Sequence, residues 1–196
     1  MAYILNIETA TTNCSVSLSK EGDILVLKED NNNNYSHAES LHKFIDEALK
    51  SAQIDPSQLN AVAVSKGPGS YTGLRIGVSA AKGLCYALNI PLISINTLES
   101  LAYQVKIEEG YIVPMLDARR MEVYSAVYDA KHQQLREIEA QILDETSFKD
   151  LLEEKPMYFI GNGVEKTKSI VQHPNAHFIE GKLTYANQMV RLAYEK

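Results

Sequence analysis

Residues Ser65–Tyr86 read SKGPGSYTGLRIGVSAAKGLCY, a glycine-rich loop that leads into a helix of small residues. The glycines at positions 67, 69, 73 and 77 fall within eleven positions. Glycine costs about 1 kcal/mol in a helix interior relative to alanine, so the run needs a physical reason. Three reasons are available: a turn that requires positive φ, a ligand held on backbone N–H groups, or a surface that another helix approaches closely.

The composition limits the classes of protein that this chain can be. It has 196 residues, 45% of them hydrophobic, which fits one large domain or two small lobes with full cores. A formal charge of −6 disfavours unaided nucleic-acid binding. Cys14 and Cys85 form no metal or disulfide motif. Because no signal peptide and no apolar run of roughly 20 residues is present, we expect a cytoplasmic protein with no membrane partner.

Hydrophobic periodicity predicts the same succession of elements in both halves of the chain. Each half has three meandering strands, a helix, a strand and a helix, and its first strand ends in an acid, Glu8 or Asp117. We therefore predict two α/β lobes, residues 1–106 and a smaller 107–196. The final helix stops abruptly, which leaves open a missing C-terminal piece or a helix that packs back across the lobes. The predicted helix caps are Ser36, Thr72, Thr97 and Ser147.

This succession resembles the two-lobed actin-like ATPase (ribonuclease H-like) fold, in which each lobe is a mixed sheet of three meandering strands plus crossover strands and helices. The amino-acid sequence itself resembles that of the TsaB (YeaZ) family. The segments that carry this resemblance span most of Tyr3–Tyr124. They are YILNIETATTNCSVSL, SHAESL, GPGSYTGLRIGVSAAKGL, INTLESLA and MLDARRMEVY.

The resemblance implies a function in tRNA modification. TsaB-like proteins are accessory subunits of the machinery that forms threonylcarbamoyladenosine beside the tRNA anticodon. The resemblance implies that such a chain binds a TsaD-type catalytic subunit, together with a TsaE-type ATPase, and forms a homodimer through its N-terminal lobe when isolated. It implies no catalytic residue and no cofactor of its own, weak ATP or ADP binding at the complex, and only indirect contact with tRNA.

The glycine-rich run lacks the GxxxxGK[ST] order of a phosphate-binding loop, which favours close approach by a helix. The competing interpretation is that the helix packs tightly on its own sheet. On the first interpretation, Gly77→Leu should block association and leave the lobe folded. The predicted interface combines apolar contact, close approach and polar orientation, and its residues are Leu41, Ile45, Leu49, Gly73, Gly77, Ala80 and Arg75.

A second hypothesis is a small-molecule kinase or ATPase of the actin-like class. Glu8, Thr11 and Asp117 are the candidates for a weak nucleotide contact. Phosphate loops of this kind need glycine soon after the first acid, where backbone can approach phosphate oxygens. Ala10 stands there instead, which speaks against phosphoryl transfer.

A third hypothesis is a metallopeptidase that uses His37 and His42. Their i, i+5 spacing places the two side chains roughly 140° apart around a helix, so sharing one ion is difficult. We therefore predict no metal site, and the histidines are expected on a polar or interface surface.

Overall fold

A computed structural model describes residues 2–30 and 37–196, and the chain folds into two compact units. The first unit holds the residues up to Ser100 together with Thr184–Lys196, and the second is Leu101–Leu183. This division differs from the predicted bounds of 1–106 and 107–196, because the C-terminal segment returns to the first unit.

The helices and strands alternate much as the sequence predicts. Within the described residues, no helix has the length and apolar character needed to cross a membrane. In chain order the elements are β1 (Tyr3–Glu8), β2 (Cys14–Lys20), β3 (Asp23–Asp30), α1 (His37–Ala52), β4 (Ala61–Ser65), α2 (Tyr71–Leu88), β5 (Leu92–Ile95), α3 (Thr97–Ala102), β6 (Tyr111–Asp117), β7 (Glu122–Asp129), β8 (Gln134–Ile142), α4 (Lys149–Glu154), β9 (Met157–Ile160), α5 (Val164–Ile170), β10 (Ala176–Ile179) and α6 (Val190–Tyr194).

The two sheets share one topology. The first has the strand order β3-β2-β1-β4-β5, and the second has β8-β7-β6-β9-β10. In each sheet the first three strands in sequence are antiparallel neighbours, and the last two add in parallel through crossover connections. The predicted architecture of mixed sheets is therefore confirmed. Strand β10, which has only four residues, was not predicted from the sequence.

The first sheet has one apolar and one polar face, because successive side chains of a strand point to opposite sides. Leu5 and Ile7 of β1 join the apolar cluster beneath α1 and α2. Asn6 and Glu8 point the other way, where the C-terminal segment covers them and its Ala186 N–H donates to the Ser15 hydroxyl at 2.9 Å. In β1 and β2 the polar face is thus buried as completely as the apolar one.

The predicted helix caps are shifted in the structure. Ser70, not Thr72, caps α2 and accepts from the Gly73 N–H at 3.3 Å. Asn96, not Thr97, accepts from the first free N–H groups of α3. The predicted Ser147 cap is wrong, since α4 begins after Phe148 without a side-chain cap, and Ser36 lies outside the described residues.

Candidate functional site

A groove of about 840 Å³ lies between α1 and α2 on the surface of the first unit. Two exposed positions of α1, Ala38 and His42, form one side. The α2 side follows a helical stripe of mostly short side chains, so the surface has low relief. The α2 residues that line the groove are Thr72, Arg75, Ile76, Ser79, Ala80, Gly83 and Leu84.

Large side chains with polar ends project from α2. Tyr71 is 73% exposed and Tyr86 is 92% exposed. The Arg75 guanidinium lies over the Tyr71 ring, 4.8 Å from its centroid. Tyrosine and arginine are enriched in protein interfaces because they combine a large contact area with hydrogen bonding. The face of α2 therefore has the composition of a partner surface.

The structure corrects five of the seven predicted interface residues. Leu41, Ile45 and Leu49 point into the apolar cluster between the sheet and α1, and none is more than 7% exposed. Gly73 and Gly77 face the lobe's own β1–β2 loop, where a Cβ would collide with the backbone oxygen and the hydroxyl of Thr9, respectively. The competing interpretation, tight packing of the helix on its own sheet, is correct for these two glycines.

Arg75 and Ala80 do line the groove. The predicted interface set left out the stripe Thr72–Ile76–Ser79–Gly83, which is rotated by one residue from the predicted stripe, although Ser79 and Gly83 belong to the run of small residues in this helix. Gly83 was the available signal. It is exposed in mid-helix, and nothing lies within 4 Å of a Cβ built on it. Gly67 has φ +103°, so this glycine is explained by a turn that requires positive φ.

Glu8 lies at the end of β1 and is completely buried. Its Oε1 accepts from the Ala10 N–H at 2.6 Å and from the Ser65 hydroxyl at 2.9 Å, while Oε2 has no partner among the described residues. Burial raises the pKa of the Glu8 carboxyl to about 7, although these hydrogen bonds lower it. This acid therefore ties the β1–β2 loop to β4.

Thr11, the second candidate for nucleotide contact, is also covered. Its hydroxyl lies 3.0 Å from the Thr184 hydroxyl, and the Asn13 amide donates to the Thr184 carbonyl at 3.0 Å. Thr184 is itself fully buried. The first-unit candidates thus lie beneath the C-terminal segment, and neither side chain is open to a ligand in this structure.

Asp117, the candidate in the second unit, remains partly exposed. Lys166 donates to its Oδ1 at 2.7 Å, and the Arg119 N–H donates to the same oxygen at 2.6 Å. The Asp117 N–H is bound by the Asn162 side chain at 2.9 Å. The carboxylate is therefore engaged in holding the β6–β7 turn.

The two histidines of the third hypothesis lie in different environments. His37 is 2% exposed, with its Nε2 2.8 Å from the Thr11 carbonyl oxygen, whereas His42 is exposed in the groove. In ranges 2–30 and 37–196, no three His, Cys, Asp or Glu side chains come together as metal ligands.

Comparison with known proteins places the chain in a family. A family model described as TsaD, tRNA N6-adenosine threonylcarbamoyltransferase, matches residues 31–194. The TsaB protein of Bacillus subtilis is 31% identical over 86% of this chain and 75% of its own length. Its Escherichia coli counterpart is 34% identical over 64% of this chain, which spans only 54% of that relative.

The solved structure of YeaZ from Pseudomonas aeruginosa superposes with a TM-score of 0.80 at 26% identity. That match covers 98% of this chain and 91% of the other. The strand order, the glycine-rich loop and these similarities agree. The chain belongs to the TsaB (YeaZ) family.

Proposed function

We propose that this chain is a non-catalytic subunit of the machinery that forms N6-threonylcarbamoyladenosine in tRNA, and that the α1–α2 groove binds the TsaD-type catalytic subunit. The Bacillus subtilis and Escherichia coli relatives are both named tRNA threonylcarbamoyladenosine biosynthesis protein TsaB, which supports the pathway. The groove is the observation that carries the proposed mode of action.

The groove suits a helix of another protein. Short side chains at Ser79, Ala80 and Gly83 let a partner backbone approach closely, and Ile76 and Leu84 supply apolar area within it. Exposed Tyr71 and Arg75 provide polar contacts. Helix-in-groove recognition uses this combination of an apolar floor and oriented polar groups.

The state of Glu8 supports an accessory rather than a catalytic role. The alternative hypothesis of a kinase or ATPase needs Glu8 open to a nucleotide. Here its Oε1 is occupied by protein donors, and the side chain has no exposed surface. A weak ATP or ADP contact is accordingly assigned to the assembled complex rather than to the isolated chain.

We further propose that a second copy of the chain occupies the same groove when the catalytic subunit is absent. Homodimer and heterodimer are then mutually exclusive. Light scattering after size exclusion tests this with the chain alone and with a TsaD-type protein added. A 1:1 complex that replaces a homodimer peak is expected; a homodimer that persists beside an unbound TsaD-type protein would contradict the proposal.

Nucleotide turnover by the pure chain separates the accessory role from the kinase alternative. The accessory role predicts no turnover above a blank. Turnover that disappears in Glu8→Gln would instead establish catalysis by this chain.

A further inference from the structure

The turn between β6 and β7 contains two successive arginines in an unfavourable backbone conformation. Arg119 has φ +71° and Arg120 has φ +46°. Side chains other than glycine, asparagine and aspartate rarely occupy this left-handed region. In the described part of the chain, no other two successive non-glycine residues share it. Strained residues of this kind are often retained for what their side chains do.

The two guanidinium groups are free, unlike those of the other arginines. Arg75 lies over Tyr71, Arg136 pairs with Glu139 at 3.2 Å, and Arg191 pairs with Glu195 at 2.8 Å. Arg119 and Arg120 are exposed, and neither side chain has a hydrogen-bond or ion-pair partner among residues 2–30 and 37–196. Two adjacent positive charges are therefore available to an external anion.

Lys166 holds the turn that presents these charges. Its ammonium donates to the Asp117 carboxylate at 2.7 Å, to the Arg120 carbonyl at 2.7 Å and to the Glu122 carbonyl at 3.1 Å. The Asp117 carboxylate is thereby neutralised and does not compete for the guanidiniums. A turn fixed in this way loses little backbone freedom when it binds a ligand.

A concavity of about 550 Å³ adjoins the arginines. Ala118, Met121 and Ile142 give it an apolar side, on which Met121 is 42% and Ile142 is 71% exposed, and the partly buried Glu122 also lines it. This volume lies in the range of small-ligand sites. Two guanidinium groups beside exposed apolar side chains match a phosphate with its neighbouring base.

We propose that the Arg119–Arg120 turn binds the phosphodiester backbone of RNA, with a base against Met121 and Ile142. Arginine binds phosphate through two parallel hydrogen bonds, which suits two adjacent guanidiniums carried on a fixed turn. The inference rests on the proposed function, since the RNA is the tRNA that the complex modifies. The family resemblance implies only indirect contact with tRNA, whereas this proposal makes the contact direct. Because the chain has a formal charge of −6, this turn contributes to RNA binding within the complex rather than alone.

The test compares wild type with the double variant Arg119→Asn, Arg120→Gly, each assembled with the TsaD-type subunit. Binding of an unmodified tRNA transcript is measured over a range of salt concentrations. The variant should bind about tenfold more weakly, and its log–log salt dependence should be shallower by about 2. Its melting temperature should rise by about 3 °C, because asparagine and glycine accept the left-handed conformation.

The matched control is Lys149→Gln, Lys182→Gln, which removes two exposed charges from the same unit and should bind the transcript as wild type does. Wild-type RNA affinity in the arginine variant would overturn the proposal, as would a lower melting temperature. If the arginine variant failed to assemble with the TsaD-type subunit but bound RNA as wild type does, the turn would instead bind an acidic protein. That result would also overturn the proposal. Inorganic phosphate that binds as tightly as the transcript would also overturn it.

Failure of the proposed function gives a different result. The wild-type chain would then not assemble with the TsaD-type subunit at all. In that case the affinity for the transcript is compared among the isolated wild-type chain, the arginine variant and the lysine control. Equal affinities overturn the inference, and a loss of affinity in the arginine variant alone supports it.

Discussion

The Thr9 side chain donates its hydroxyl to the Gly73 carbonyl oxygen at 2.8 Å and so fixes the β1–β2 loop against α2. The same hydroxyl occupies the space beside Gly77 that a Cβ would need. Gly73 and Gly77 thus serve the packing of the first unit. The neighbouring stripe of α2 is therefore the part of the helix that we propose as the partner surface.

The contact with Thr9 predicts that Gly77→Leu destabilises the first unit. Overpacking against a bonded hydroxyl and β1 should lower the free energy of unfolding by about 3 kcal/mol. Urea denaturation measures this loss. Gly83→Ala is the matched control, because its Cβ meets open space and the helix gains up to about 1 kcal/mol.

A double-mutant comparison identifies the cause of this effect. Gly77→Ala combined with Thr9→Ala should be more stable than Gly77→Ala alone, since the colliding hydroxyl is gone. A double variant no more stable than the single one would exclude Thr9 as the obstacle.

The buried Glu8 carboxyl predicts a pH dependence of stability. Its pKa rises from 4.5 to about 7 on folding, so the folded state binds the proton more tightly than the unfolded state. Below pH 4.5, Glu8 makes its full contribution to the free energy of unfolding. This contribution falls by about 3 kcal/mol as the pH rises to about 7, and it changes little at higher pH.

Glu8→Gln removes this titration while keeping an oxygen acceptor for Ala10 and Ser65. The free energy of unfolding of the variant should lack this decrease between pH 4.5 and 7. At pH 8 the variant should therefore be more stable than the wild type. Parallel pH profiles of variant and wild type would show that Glu8 does not take up a proton on folding.

Thr184 attaches the C-terminal segment to the first unit. Thr184→Val keeps the side-chain shape but removes the partner of the buried Thr11 hydroxyl, which should cost about 1–2 kcal/mol. Hydrogen exchange should accelerate at residues 186–193 and not in α1. Unchanged protection of these residues would mean that the Ala186–Ser15 bond and apolar packing suffice.

All of the strands except β10 could be predicted, because alternation and the repeated meander are local patterns. The interface residues could not, for a physical reason. The inward face of α2 contacts Thr9, which is 64 residues from Gly73 in sequence. Hydrophobic periodicity is a local pattern, so it does not reveal a contact between residues so far apart in sequence. Both α2 faces contain small residues, so composition did not distinguish them.

The misplaced caps have a similar origin. Ser70 and Thr72 both offer a hydroxyl near the start of α2, and only the backbone at Ser70 has the non-helical conformation of a cap. The burial of Glu8 was also out of reach of the sequence, because the segment that covers it begins at Thr184, far along the chain.

The claim that the α1–α2 groove binds the catalytic subunit is tested by calorimetric titration of the Gly83→Leu variant. Leucine fills the groove from an open position, while Ser51→Leu adds the same side chain to α1 outside the groove. We predict that Gly83→Leu weakens binding of the TsaD-type subunit at least 100-fold, a loss of about 2.7 kcal/mol. Its melting temperature should stay at or above that of wild type, and Ser51→Leu should bind normally. Wild-type affinity in a folded Gly83→Leu protein would contradict the claim.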